Sequence, residues 1–211
     1  MCGIFAYYGD YRSNEELVNK NFKVGHKRGP ESSNITLIDN IFLGFHRLAI
    51  NGLDEKSNQP FNIDGIYLIC NGEIYNFQEL FSEFDKKTNS DCEIIIHLYK
   101  KYGIEYTLNC LDGVFAFILY DSNNKVLIAA RDPYGVRPLY FLQNSKELIF
   151  TSELKQLNGF TGNVDYYDPG TYTVINNGNV VSKKYTTFPF LTDTEINIKI
   201  NIYQKLQKAG K

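Results

Sequence analysis

Val114-Phe115-Ala116-Phe117-Ile118-Leu119 is apolar at every position. A strand with one wet face alternates apolar and polar residues, whereas a run that is apolar throughout is covered on both faces. Such strands belong to sheet layers packed on one another, with helices outside. Working outward, the segments 114–120 and 125–130 pair around Asp121-Ser122-Asn123-Asn124. Further strands are expected at 139–142, 148–151, 171–175 and 180–184. Upstream, 4–8 reads as a strand closed by Gly9, and 35–38 with 41–45 as a hairpin around Asp39-Asn40. Segment 66–70 is another strand and runs straight into Asn71-Gly72-Glu73.

Helices are few. Ser13 and Glu16 stand at capping-box spacing and open a helix to about Phe22. Segment 26–33 is a loop with Gly29 and Pro30, and 76–84 looks helical. The segment 92–102 carries Ile95, Leu98, Tyr99 and Tyr102 on one helical face and stops at Gly103.

The chain has 211 residues, 43% apolar and 22% charged, the balance of an ordinary globular protein. Sixteen Tyr and fifteen Phe, with no Trp, supply an aromatic core. A net charge of -2 argues against a nucleic-acid partner, which needs a basic face. No apolar run approaches the roughly 20 residues of a membrane span. No basic segment followed by an apolar one marks a signal peptide, so the expected location is the cytoplasm. Of the cysteines at 2, 70, 92 and 110, the last three read as small buried hydrophobes, and no spacing suits zinc.

Cys2 differs by its position. Cys is small enough for Met1 to be trimmed, which leaves a thiol beside its own α-amine. That amine titrates near 7.7–8.0 in an unperturbed chain, so it can take the thiol proton near neutral pH. Gly3 leaves room for a substrate to approach. Asn71 beside Gly72 offers two converging donors, the chemistry of an oxyanion hole. The same pair also suits a strand-to-helix turn with Asn76 as N-cap. Arg47, at a strand end, suits a bidentate grip on a carboxylate or a structural ion pair. Asp91 could cap the next helix or receive an ammonium group.

Taken together, these residues resemble class II glutamine amidotransferases. The resemblance rests on Cys2-Gly3-Ile4, His26-Lys27-Arg28-Gly29-Pro30-Glu31, Arg47-Leu48-Ala49-Ile50, Asn71-Gly72-Glu73-Ile74-Tyr75-Asn76 and Ser90-Asp91-Cys92-Glu93. Leu111-Asp112-Gly113-Val114-Phe115-Ala116-Phe117 and Arg131-Asp132-Pro133-Tyr134-Gly135-Val136-Arg137-Pro138-Leu139 continue it in order. Within the class, the match is to the glutaminase domain of glutamine-hydrolysing asparagine synthetase. It implies an α+β fold, a four-layer α/β/β/α sandwich of two antiparallel sheets, of the N-terminal-nucleophile hydrolase type. It also implies that Cys2 attacks the side-chain amide of L-glutamine while Asn71 and Gly72 hold the oxyanion. Arg47 would take the α-carboxylate, Glu73 and Asp91 the α-ammonium, and the main chain around Ile50 would line the pocket. His26 and His46 are read as structural, and 131–135 as shaping the pocket without touching the reacting atoms. No cofactor or metal is implied.

The resemblance covers residues 2–190. An asparagine synthetase continues into an ATP-using domain with a Ser-Gly-Gly-x-Asp-Ser loop, which this sequence does not contain. A synthetase domain and synthetase activity are therefore not expected of this chain, which would have lost that half, be a separately encoded glutaminase subunit, or be a fragment. A separate ATP-dependent synthetase subunit is one candidate acceptor of the ammonia. In the tail, 191–211, Ile196, Ile200, Tyr203 and Leu206 form a helical stripe fit to dock on such a partner, although Ile198-Lys199-Ile200-Asn201-Ile202 alternates like a strand.

Overall fold

The computed structural model describes residues 1–186. In chain order these form β1 (Gly3–Tyr8), α1 (Tyr11–Val24), β2 (Ser32–Ile38), β3 (Ile41–Arg47), β4 (Phe61–Ile63), β5 (Ile66–Ile74) and α2 (Phe77–Leu80). There follow α3 (Ile94–Tyr102), α4 (Ile104–Cys110), β6 (Gly113–Asp121), β7 (Val126–Arg131), β8 (Tyr140–Gln143) and β9 (Leu148–Thr151). The last described strands are β10 (Asn163–Tyr166), β11 (Thr171–Asn176) and β12 (Asn179–Lys184). They build two six-stranded sheets, β10-β8-β9-β1-β3-β2 and β12-β11-β7-β6-β5-β4. Every strand pairing in both is antiparallel.

The two-residue period of a strand sorts the side chains into layers. On β6, Ala116, Ile118 and Tyr120 meet Ile4, Ala6, Leu43 and Phe45 of the other sheet. Phe115, Phe117 and Leu119 point the opposite way, against Ile94, Ile95, Leu98 and Leu108 of α3 and α4. On β1, Phe5 and Tyr7 turn outward onto Val18 and Phe22 of α1. The expected four layers, helix, sheet, sheet and helix, follow from this sorting. Residues 115–119 are each fully buried. Burial of each large one contributes about 1.5–3 kcal/mol. A one-residue slip would exchange the two faces of a strand, so register is tightly specified.

Several local expectations are corrected. Helix α1 is capped by Asp10, not Ser13: the Asp10 carboxylate accepts from the Ser13 N–H (3.4 Å) and hydroxyl (2.6 Å). Asn71-Gly72 does not turn. β5 continues through it, pairing Asn71 with Ala116 and Gly72 with Phe115, because β6 offers a partner along its whole length. Gly72 is required by this approach, since a Cβ there would sit 2.7 Å from the Val114 carbonyl oxygen and 2.8 Å from Phe115 Cβ. Asn76 stands at the start of α2 without capping it. Its side chain instead donates to the Cys110 carbonyl (2.9 Å) and accepts from the Asp112 N–H (3.0 Å). The expected 76–84 helix is one α-turn and a 3-10 turn, Phe81–Glu83. Helix α3 buries Ile94, Ile95 and Leu98 but leaves Tyr102 exposed, and ends at Gly103 with φ 79°. Among the described residues no helix is long and apolar enough to cross a membrane. The tail stripe, Ile196 to Leu206, lies outside the described residues.

Candidate active site

Strand β1 brings Cys2 to the gap between the sheets, beside the end of β3. The Cys2 thiol donates to the Leu48 carbonyl (3.3 Å) and lies 3.4 Å from the Leu48 N–H. Arg28 Nε donates to the Cys2 carbonyl (2.9 Å), fixing the main chain that carries the thiol. Burial raises the thiol pKa, partly offset by the Leu48 contact and the chain's N-terminal charge. A thiol held protonated needs a base to become nucleophilic. Gly3 also sits at a close approach of its neighbours. A Cβ there would meet Arg28 Cβ at 3.2 Å and His46 Cβ at 3.5 Å, so its smallness makes room for these neighbours.

Opposite Cys2 stands β5. Alternation aims Ile69, Asn71 and Glu73 toward the other sheet and Cys70 toward α3. Asn71 is 2% exposed, and its Nδ2 has no hydrogen-bond partner among the described residues. A buried donor left unpaired costs about 1–3 kcal/mol. Gly72 supplies a second donor. Both main-chain groups of Phe115 are taken by Asp132, the N–H donating to the Asp132 carboxylate (3.2 Å) and the carbonyl accepting from the Asp132 N–H (2.8 Å), so its pairing with Gly72 is the non-bonded kind. The Gly72 N–H therefore turns away from β6. Along that edge the Cys70 N–H is taken by Gln59 (2.5 Å) and the Ile74 N–H by Asp91 (2.7 Å). Gly72 lies between them.

Arg47, 9% exposed, closes β3. It donates to the Asp54 carbonyl (3.2 Å), Asn58 Oδ1 (2.7 Å) and the Gly52 carbonyl. These acceptors are neutral, and Arg47 joins no ion pair among the described residues. The structural-pair alternative does not hold. Nor does Asp91 cap a helix, since the Ser90 hydroxyl accepts from the Cys92 N–H (3.3 Å) in that role. Asp91 is 3% exposed; burial, with the Glu73 carboxylate nearby, raises its pKa. A cation placed there would offset both effects.

One pocket gathers every expected site residue: Cys2, Arg47, Ile50, Asn71, Gly72, Glu73 and Asp91. Ile50 stands exposed at its rim. Sequence reasoning gave no role to Arg28 or Arg137. Arg28 appears in the sequence only within the motif His26-Lys27-Arg28-Gly29-Pro30-Glu31, with no role attached. Arg137 lines the pocket and donates to the Met1 sulfur (2.8 Å). Its loop is shaped as expected by fully buried neighbours. Arg131 donates to the carbonyls of Arg137 (2.7 Å) and Gly135 (2.6 Å), and Asp132 accepts from the N–H groups of Tyr134, Val136 and Arg137 (3.0, 3.0 and 3.2 Å). His46 is structural, stacked on Phe22 at 4.1 Å and bonded to the Phe22 carbonyl (2.8 Å) and Ser33 Oγ (2.7 Å). No group of three His, Cys, Asp or Glu among the described residues is arranged to hold a metal ion.

Fold and site define a four-layer α+β sandwich with a thiol immediately before a central strand. Residues 1–195 match the model of the glutamine amidotransferase domain, and the chain belongs to that family. It is 41% identical over 187 residues to a probable glutamine-hydrolysing asparagine synthetase of Acanthamoeba polyphaga mimivirus, covering 83% of this chain and 34% of the relative. It is 37% identical over 216 residues to the glutamine-hydrolysing asparagine synthetase of Gallus gallus, covering 93% of this chain and 38% of the relative. The chain thus spans little more than a third of the length of these two relatives. The fold matches a glutamine phosphoribosylpyrophosphate amidotransferase of B. subtilis with a TM-score of 0.74, at 20% identity, over 89% of this chain and 50% of that one.

Proposed function

We propose that the protein hydrolyses the side-chain amide of L-glutamine to glutamate and ammonia through a thioester at Cys2. The observation that carries this reading is the buried Asn71 amide, whose Nδ2 has no partner among the described residues, in the same pocket as the thiol, with Arg47 and the Asp91–Glu73 pair lining it. An amino acid with a carboxylate, an ammonium and a side-chain amide complements all three. Removal of Met1 frees the α-amine of Cys2, which takes the thiol proton. The thiolate attacks the amide carbon, and Asn71 Nδ2 and the Gly72 N–H hold the oxyanion. The proton returns to the leaving nitrogen as ammonia departs, and water then cleaves the thioester. No cofactor enters the scheme.

The names of the relatives support asparagine synthesis as the destination of the ammonia, with an ATP-dependent synthetase partner as acceptor. Four free cysteines support a reducing, cytoplasmic location. A second reading is a glutamine-binding or regulatory module without turnover, which a chain that keeps Met1 would be, because the Cys2 nitrogen is then an amide and Met1 lines the pocket.

Glutamate release from glutamine tests the proposal. A chain shown by intact mass to lack Met1 should turn over, and Cys2→Ala should lose at least ~10³-fold. Turnover that survives Cys2→Ala sinks the mechanism. Glutamine binding without turnover by the Met1-free chain leaves the binding module.

A further inference from the structure

Arg47 and Asp91, which would grip opposite ends of the substrate, sit on different segments, and one carboxylate outside the site ties those segments together. Asp54 lies in the loop after β3. Its main-chain carbonyl accepts from Arg47 Nη1 (3.2 Å). Its Oδ1 accepts from the Ser57 N–H (2.9 Å) and hydroxyl (2.8 Å). Its Oδ2 accepts from Asn89 Nδ2, and Ser57 Oγ in turn accepts from the Asn89 N–H (3.2 Å). Asn89 is thus held at side chain and main chain, two residues before Asp91.

Two further observations show that the junction is built. Gly52 has φ 61°, and a Cβ there would sit 2.4 Å from Ser57 Oγ and 3.0 Å from the Asn89 carbonyl carbon, so the two segments close on each other where only glycine fits. From the far side, the Glu93 carboxylate accepts from the N–H groups of Lys87 (2.7 Å) and Thr88 and from His97 Nε2 (2.8 Å), fixing the start of the Asn89 segment. Hydrogen bonds from Ser57 and Asn89 hold the Asp54 carboxyl below its ordinary pKa, so it is ionised at neutral pH.

We infer that Asp54 is a positioning residue that, through Ser57 and Asn89, sets the span between the Arg47 guanidinium and the Asp91 carboxylate. That span selects a free α-amino acid, whose carboxylate and ammonium share one carbon. The inference rests on the glutamine reading of the pocket. Asp54 touches neither substrate nor thiol, so its loss acts on recognition of the two ends and leaves the thiol and oxyanion donors in place.

The test compares glutamine with glutaramate, which keeps the reacting amide and carboxylate but lacks the α-amine, in steady-state hydrolysis by the Met1-free chain. Asp54→Asn keeps the shape and loses the charge that holds Ser57 and Asn89 together. The expected result is a KM for glutamine raised about tenfold with kcat within about threefold, and a preference for glutamine over glutaramate that shrinks about tenfold. Asn89→Ala should do the same, and the double variant should fall short of the two effects combined. If wild type hydrolyses glutamine while Asp54→Asn keeps its KM and preference, the inference is wrong. Equal loss on both substrates also overturns it, because that is what a merely destabilised pocket gives. A wild type inert toward glutamine instead removes the reading of the site on which the inference stands.

Discussion

Asn71 shows how a single residue carries stability and chemistry in opposite directions. Its buried Nδ2 lacks a partner among the described residues, so Asn71→Ala should cost about 10²–10³-fold in kcat with little loss of melting temperature. Kinetics and thermal melts on one preparation check both halves. Asp91 makes a similar case through its charge. Its folded pKa is raised, chiefly by burial and further by Glu73. A raised folded pKa means the proton is bound more tightly in the fold than in the unfolded chain. The associated stability is full at acid pH and is lost as pH rises through the folded value. Once ionised, Asp91 therefore lowers the stability of the free protein. Asp91→Asn should melt higher than wild type at pH 7 and bind glutamine more weakly, and melts with and without glutamine test both. Cys2, Arg47, Ile50, Asn71, Gly72, Glu73 and Asp91 were legible because ordered motifs surround each of them. The role of Arg28 was not, although it too lies in a motif, because it is a bond to the Cys2 carbonyl 26 residues away.

At the scale of elements, β5 is where local and tertiary signals conflict. Asn-Gly favours a turn, yet nine residues of β5 pair in register with β6. The pairing prevails because the neighbouring apolar positions are buried on both sides. Gly72→Ala would place a Cβ 2.7 Å from the Val114 carbonyl oxygen. It should lower stability by about 1–3 kcal/mol in chemical denaturation, beyond any effect on the oxyanion donor. The long strands were readable from their apolar runs. The short β4 and β10 were not: β4 has only three residues, and β10 is exposed at every position, whereas the equally short β9 is buried throughout. The N-terminus of α1 was misplaced because Ser13 and Asp10 are both capping types, and only the bond between them shows which one caps.

At the scale of the whole molecule, the site is a product of the sandwich. The thiol comes from β1 of one sheet and the oxyanion donors from β5 of the other, with Ile4, Ala6, Ile69 and Ala116 packed between the sheets. The doubly covered run at 114–119 made the layers legible. Which strands meet across the gap was not, because that depends on a strand order, β1 between β9 and β3, that no local pattern encodes. The central claim is that Cys2, freed of Met1, forms the covalent intermediate. Intact and peptide mass spectrometry of the chain acid-quenched during glutamine turnover tests it most directly. The account predicts a species lacking Met1 with a γ-glutamyl group on Cys2. A γ-glutamyl group on Cys70, Cys92 or Cys110, or full turnover by a chain that retains Met1, would contradict it.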